Sequence, residues 1–81
     1  MSEQEARRII QEEKLDRVNW YDDRNLKENQ VGIRKTKNGW EVYITDERAA
    51  IITGTRFQYS DSDEAYDELV GKARYLKDFF K

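Results

Sequence analysis

The dipeptide Asn38-Gly39 lies between two runs rich in β-branched and aromatic residues, and together they span residues 30–45. It is the strongest hairpin signal in the chain, because a type I′ turn needs positive φ at both central residues and few side chains tolerate it. A two-residue loop at this point pairs Lys37 with Trp40, Lys35 with Val42, Ile33 with Ile44 and Val31 with Asp46. Val31, Ile33, Trp40, Val42 and Ile44 then share an apolar face, while Arg34, Thr36, Glu41, Tyr43 and Thr45 share a polar one expected to meet water. A slip of one residue would turn Trp40 outward, so the pattern and the turn chemistry agree.

Around this hairpin, 81 residues leave room for one small domain with a single sheet and about two helices. Charged residues make up 40% of the chain against 37% hydrophobic, a balance that would favour disorder. The two Trp, five Tyr and three Phe, set in periodic segments, favour instead a folded domain with a heavily charged surface. Cysteine and histidine are absent. That removes disulfides, the usual zinc ligands and the Ser-His and Cys-His catalytic arrangements. The net charge of -2 does not favour sequence-independent nucleic-acid binding. No apolar run reaches the length of a membrane span, and the acidic start Met1-Ser2-Glu3-Gln4-Glu5 is unlike a secretion signal; a cytoplasmic protein is expected.

The remaining segments organise around the hairpin. Ser2 and Glu5 stand at capping-box spacing before a helix over residues 3–14, whose stripe is Ala6, Ile9 and Ile10, with Leu15 at its end. Residues 16–30 read as a loop tied down by Val18, Trp20 and Leu26, with Asp22, Asp23 and Asn25 supplying turn chemistry. After a charged turn at residues 46–49, residues 50–59 read as a third strand, whose facing is open between Ile51, Thr53, Thr55, Phe57 and Tyr59 and the alternate set Ile52, Gly54, Arg56 and Gln58. Phe57 favours the first set as inward, and Gly54 marks a bulge or a close backbone approach. Asp61 and Glu64 then open a helix that runs to about residue 80. Ala65, Leu69, Ala73, Leu76 and Phe80 form its stripe, flanked by Tyr66 and Phe79. Gly71 inside that helix costs about 1 kcal/mol relative to alanine, which a close helix-sheet contact or a partner contact would explain. The expected fold is α+β: helix, three-stranded antiparallel meander, helix, with the helices on one sheet face.

No constellation of catalytic type emerges, so a non-enzymatic role without metal or cofactor is expected. Each placeable carboxylate pair sits at a helix start or on a solvated face, and Asp61-x-Asp63-Glu64 lacks the length and central glycine of a calcium loop. The element order is that of a double-stranded-RNA-binding domain. Where such domains, as that likeness implies, carry lysines at the start of the last helix, this chain has Asp61, Asp63, Glu64, Asp67 and Glu68. Those acids complement the helix dipole, and they would equally steer the chain toward a basic protein.

Gly39-Trp40-Glu41-Val42-Tyr43, then Asp46-Glu47-Arg48-Ala49, Arg56-Phe57 and Asp61-Ser62-Asp63-Glu64-Ala65-Tyr66 resemble a family of small bacterial immunity proteins of polymorphic toxin systems, immunity family fifty-nine. The likeness covers residues 38–70. Two positions depart from the family pattern: Ala49 stands where the family usually has glycine, and Tyr66 where it often has cysteine. The resemblance implies a protein that binds and neutralises a cognate toxin. It makes Glu41, Tyr43, Glu47 and Arg48 the expected partner-facing residues, with Asp61, Asp63, Glu64, Asp67 and Glu68 second. An inhibitor of a bacterial defence nuclease, encoded by a phage, is the related alternative, and an RNA-binding module the unrelated one. A strand edge left open would permit a homodimer.

Overall fold

The β-prone runs form an antiparallel pair as expected, but in a different register and around a different turn. In a computed structural model that describes residues 1–80, β2 (Val31–Thr36) and β3 (Gly39–Ile44) are antiparallel. Thr36 faces Gly39, Lys35 faces Trp40, Ile33 faces Val42 and Val31 faces Ile44. The expected pairing is therefore corrected by two residues: the loop is Lys37-Asn38, and Gly39 already belongs to the strand. Neither loop residue has positive φ, so the turn is not type I′; Gly39 carries the unusual angle, φ +135°. Glycine is needed there because a Cβ would come within 2.2 Å of the Tyr59 carbonyl oxygen. A shift of two preserves the facing of every side chain, so the apolar set remains together. Lys35 stays on that face by laying its ammonium 3.4 Å from the centre of the Trp40 ring.

Two further strands complete a mixed sheet in the order β1-β2-β3-β4. β4 (Phe57–Tyr59) is antiparallel to β3, with Val42 facing Phe57 and Trp40 facing Tyr59. The expected strand over 50–59 is thus only partly strand: Ile51 makes one isolated bridge to Thr45, and Thr53–Thr55 is a 3-10 turn. Phe57, favoured as inward, shares the face of Val42 but is 48% exposed. Gly54 sits in that turn with no atom within 4 Å of a would-be Cβ, so it marks neither a bulge nor a close approach. β1 (Val18–Trp20), expected as loop, pairs parallel to β2 in the register Val18 with Val31, Asn19 with Gly32 and Trp20 with Ile33. Its three residues are too few for periodicity to reveal, and the parallel partner lies ten residues away.

α1 (Glu3–Glu12) starts at Ser2, whose hydroxyl accepts from the Glu5 amide at 3.2 Å. α2 (Ser62–Phe79) starts at Asp61, whose carboxylate accepts from the Asp63 amide at 2.9 Å. α2 lies across β2, β3 and β4, and α1 packs against α2. Ala6, Ile10, Leu15, Val31, Ile33, Val42, Ala65, Leu69, Val70, Ala73 and Leu76 form the core between helices and sheet. Complete burial of one such side chain as large as Leu69 is worth about 1.5–3 kcal/mol. The small residues Ala6, Ala65 and Ala73 let the two helices and the sheet approach closely. Polar groups fix the helix pair further: Tyr66 donates to Glu3 at 2.8 Å, Arg74 holds Glu13 through two nitrogens at 2.6 and 2.9 Å, and Arg7 covers the Trp20 ring.

Candidate partner-binding surface

The C-terminal half of α2 buries Ala73 and Leu76 but leaves aromatic side chains in solvent. Tyr75 is 60% exposed, Phe79 67% and Phe80 38%, and Ile52 from the segment before the 3-10 turn is 40% exposed. Tyr75 and Phe79 stack at 6.0 Å, Phe80 meets Phe79 edge-on at 4.9 Å, and the Arg17 guanidinium covers Phe80 at 4.3 Å. With Ile44 and Leu76 these residues line an open groove of about 660 Å³. Single exposed apolar residues are ordinary on a protein surface; four gathered on one groove are a feature of binding sites.

Glu47 and Arg48 stand on the wall of this groove. They are carried by the turn after β3, which is rigid for local reasons. The Asp46 carboxylate accepts from the amides of Arg48 at 2.8 Å and Ala50 at 3.0 Å, and those bonds hold its carboxyl below the ordinary carboxylate range. Ala49 takes φ +62°, a left-handed angle that favours glycine. Both charged side chains of the turn are exposed.

Glu41 and Tyr43 are placed quite differently, and the expectation of a wet outer sheet face is corrected. Glu41 is 2% exposed. Its carboxylate receives Arg34 at 2.6 and 2.9 Å, Arg56 through two nitrogens at 3.2 Å and Gln58 at 3.1 Å. Burial pushes the Glu41 carboxyl up, but the hydrogen bonds from Arg56 and Arg34 and their charges outweigh it and leave it below its ordinary value. Tyr43 is wholly buried. Its ring lies flat over Gly32, where a Cβ would come within 2.3 Å of the ring carbon that bears the hydroxyl. In this form neither side chain offers surface to a partner.

The acids of α2 occupy a third place. Asp61 caps the helix, Asp67 holds the N-terminal amine at 2.9 Å, and Glu68 accepts from the Tyr59 hydroxyl at 3.1 Å while pairing with Lys72 at 3.1 Å. Burial and then the Glu68 hydrogen bond push the Tyr59 hydroxyl up to about 12. Asp63 and Glu64 have exposed side chains. An 18-residue helix is about 27 Å long, so these acids and the groove lie at opposite ends of α2. The residues singled out from the sequence therefore fall into separate regions, of which only Glu47 and Arg48 border the groove. Tyr75 and the exposure of Phe79 and Phe80 went unread, because Tyr75 lies off the apolar stripe and a stripe does not tell which of its flanking or terminal members the core covers. Among the described residues, no group of three or more Asp or Glu is arranged to hold a metal ion, and no helix is long and apolar enough to cross a membrane. Comparison of the chain with protein families, with curated proteins and with solved structures gives no match.

Proposed function

We propose that this chain is a non-enzymatic binding protein that neutralises a cognate bacterial toxin, and that the groove at the C-terminal end of α2 receives the partner. The exposed aromatic groove bordered by Glu47 and Arg48 is the observation that carries this reading. Aromatic side chains with an adjacent arginine are the residue types that dominate binding energy at protein interfaces, and rigid side chains on a helix lose little entropy when covered. The resemblance of residues 38–70 to immunity proteins supplies the class of partner, and the exposed Asp63 and Glu64 would favour one with a basic surface. The acidic start of α2 speaks against duplex RNA as the ligand.

The product of a toxin-like gene next to this one is the partner to test. In calorimetric titration the wild-type chain should bind it tightly. Phe79→Ala and Tyr75→Ala should each weaken binding by about 30-fold or more, the effect of losing an interface anchor worth about 2 kcal/mol. Because both side chains are mostly exposed, unfolding temperatures should stay within the range of ordinary surface changes. Unaltered affinity in both variants would remove the groove from the interface; a chain that does not protect cells from the toxin would remove the proposed role.

A further inference from the structure

The connection between β1 and β2 crosses the outer sheet face and is fastened to it at both ends and through polar side chains in its middle. At the near end the Tyr21 amide donates to the Ile33 carbonyl at 3.0 Å, and the Tyr21 hydroxyl bonds to that of Tyr66 on α2. At the far end the Asn29 amide donates to Asp46 at 3.0 Å, and the buried Thr45 hydroxyl bonds to the Lys27 carbonyl at 2.7 Å and the Gln30 amide at 2.9 Å. Tyr21 and Asn29 both take left-handed backbone angles, φ +55° and +53°. For an aromatic residue that is an uncommon and costly conformation. Between them, Asp22, Asp23, Arg24, Asn25, Lys27 and Glu28 are exposed. The middle is held by the buried Asn19 side chain, which donates to the Asp22 carbonyl and accepts from the Asp22 amide, both at 3.0 Å, and reaches the Asn25 carbonyl at 3.5 Å. An Asp22–Asn25 turn whose side chains bond at 3.0 Å and a long Asp23–Arg34 pair at 3.5 Å hold it further.

Beneath this segment lies Tyr43. The row Asn19, Gly32, Tyr43 runs across three strands on the outer face, and the Tyr43 ring spans the bare glycine toward Asn19. The Tyr43 hydroxyl is buried and no protein group bonds to it. An unpaired buried hydroxyl costs about 1–3 kcal/mol, a penalty relieved whenever water reaches it. The closed arrangement thus combines two left-handed hinges, a clasp made of a few separate polar contacts and an unsatisfied group under the cover.

We propose that residues 22–28 form a strap that opens and closes over the outer sheet face, with Tyr21 and Asn29 as hinges and with the Asn19–Asp22 bonds, the Thr45–Lys27 bond and the Asp23–Arg34 pair together as latch, hiding Tyr43 when closed and uncovering it when open. Opening is local: the core between helices and sheet lies on the other side and keeps its packing. Slow acetylation of tyrosine hydroxyls by N-acetylimidazole on the intact folded chain, read residue by residue by mass spectrometry, tests this. Tyr43 should react at least tenfold faster than Tyr66, which is equally buried but hydrogen-bonded, and its rate should not change with urea below the unfolding transition. Asp23→Ala should raise the Tyr43 rate about 2- to 5-fold, as expected for loss of a partly exposed ion pair, with the Tyr66 rate unmoved. Equal rates at Tyr43 and Tyr66, or a Tyr43 rate that climbs with urea in step with global unfolding, would mean that the strap stays closed in the native state and would overturn the proposal.

Discussion

At the scale of single residues, the two most informative positions are Glu41 and Ala49. Glu41 alternates with apolar neighbours as a solvated strand residue does, yet it is the buried centre of an ion-pair cluster on Arg34, Arg56 and Gln58. Burial of a carboxylate is tolerable only with such complete pairing. Charge reversal at Glu41 therefore damages the fold, whereas reversal at the exposed Glu47 acts on the surface alone. Ala49 carries a left-handed angle with a Cβ that opposes it. Ala49→Gly should stabilise the chain by about 0.5–1 kcal/mol, seen as a higher urea midpoint with an unchanged slope, since only the strain of one residue is relieved. An unchanged or lowered midpoint would mean that the turn bears no such strain. Glycine is also the residue that the resembling family usually places here, so the departure noted in the sequence coincides with a measurable conformational cost.

At the scale of elements, legibility followed the length and periodicity of each segment. Both helices and the central hairpin were readable, because stripes and caps repeat over ten or more residues and because Trp40, Val42 and Ile44 alternate against Val31 and Ile33. The turn type was not. Gly39 signals a turn glycine, but its need for glycine comes from the Tyr59 carbonyl, a contact twenty residues away. β1, three residues long, carries too little pattern to separate strand from loop, and β4 reads as strand but with its start placed seven residues too early, at 50 rather than 57. The candidate site was legible only at Glu47 and Arg48, because exposure of the α2 aromatics depends on how the last turns of the helix seat on their neighbours, which no local pattern encodes. Gly71 illustrates how far sequence reasoning reaches within an element. It lies exposed in α2, and a would-be Cβ meets nothing within 4 Å, so no close helix-sheet contact requires it. Gly71→Ala should stabilise the chain by about 1 kcal/mol in chemical denaturation. A destabilised variant would show that the helix bends or packs there in a way that the residue's open surroundings contradict.

At the scale of the molecule, carboxylates hold distant parts together and set its response to acid. Hydrogen bonds from Arg7 and Tyr66 lower Glu3, those from Arg74 lower Glu13, backbone amides lower Asp46, and the arginine pair lowers Glu41 against its burial. A carboxyl whose folded pKa is depressed contributes its full stability above its ordinary unfolded value, about 4.3 for Glu, and loses it as pH falls through the folded value. Stability should be level from neutrality to about pH 5 and then fall steeply. Glu41→Gln should lower stability at pH 7 by about 1–3 kcal/mol, the half-exposed Arg56 keeping the loss modest, and should flatten the acid slope. Denaturation midpoints measured from pH 7 to pH 3 check both; an acid slope equal to wild type would show that Glu41 does not contribute to it.

The parallel pairing of β1 with β2 has a consequence for where this small protein can meet others. Parallel neighbours need a return path between the end of one strand and the start of the next, usually a helix on the sheet. Here ten residues of irregular chain make that journey across the outer face, while α1 and α2 take the inner side. The strap thus covers the outer face over Asn19, Gly32 and Tyr43, while Arg56 and Gln58 toward β4 stay exposed. A partner of the kind proposed would then meet mainly the perimeter: the aromatic end of α2, the edge strand β4, and whatever the strap uncovers when it lifts.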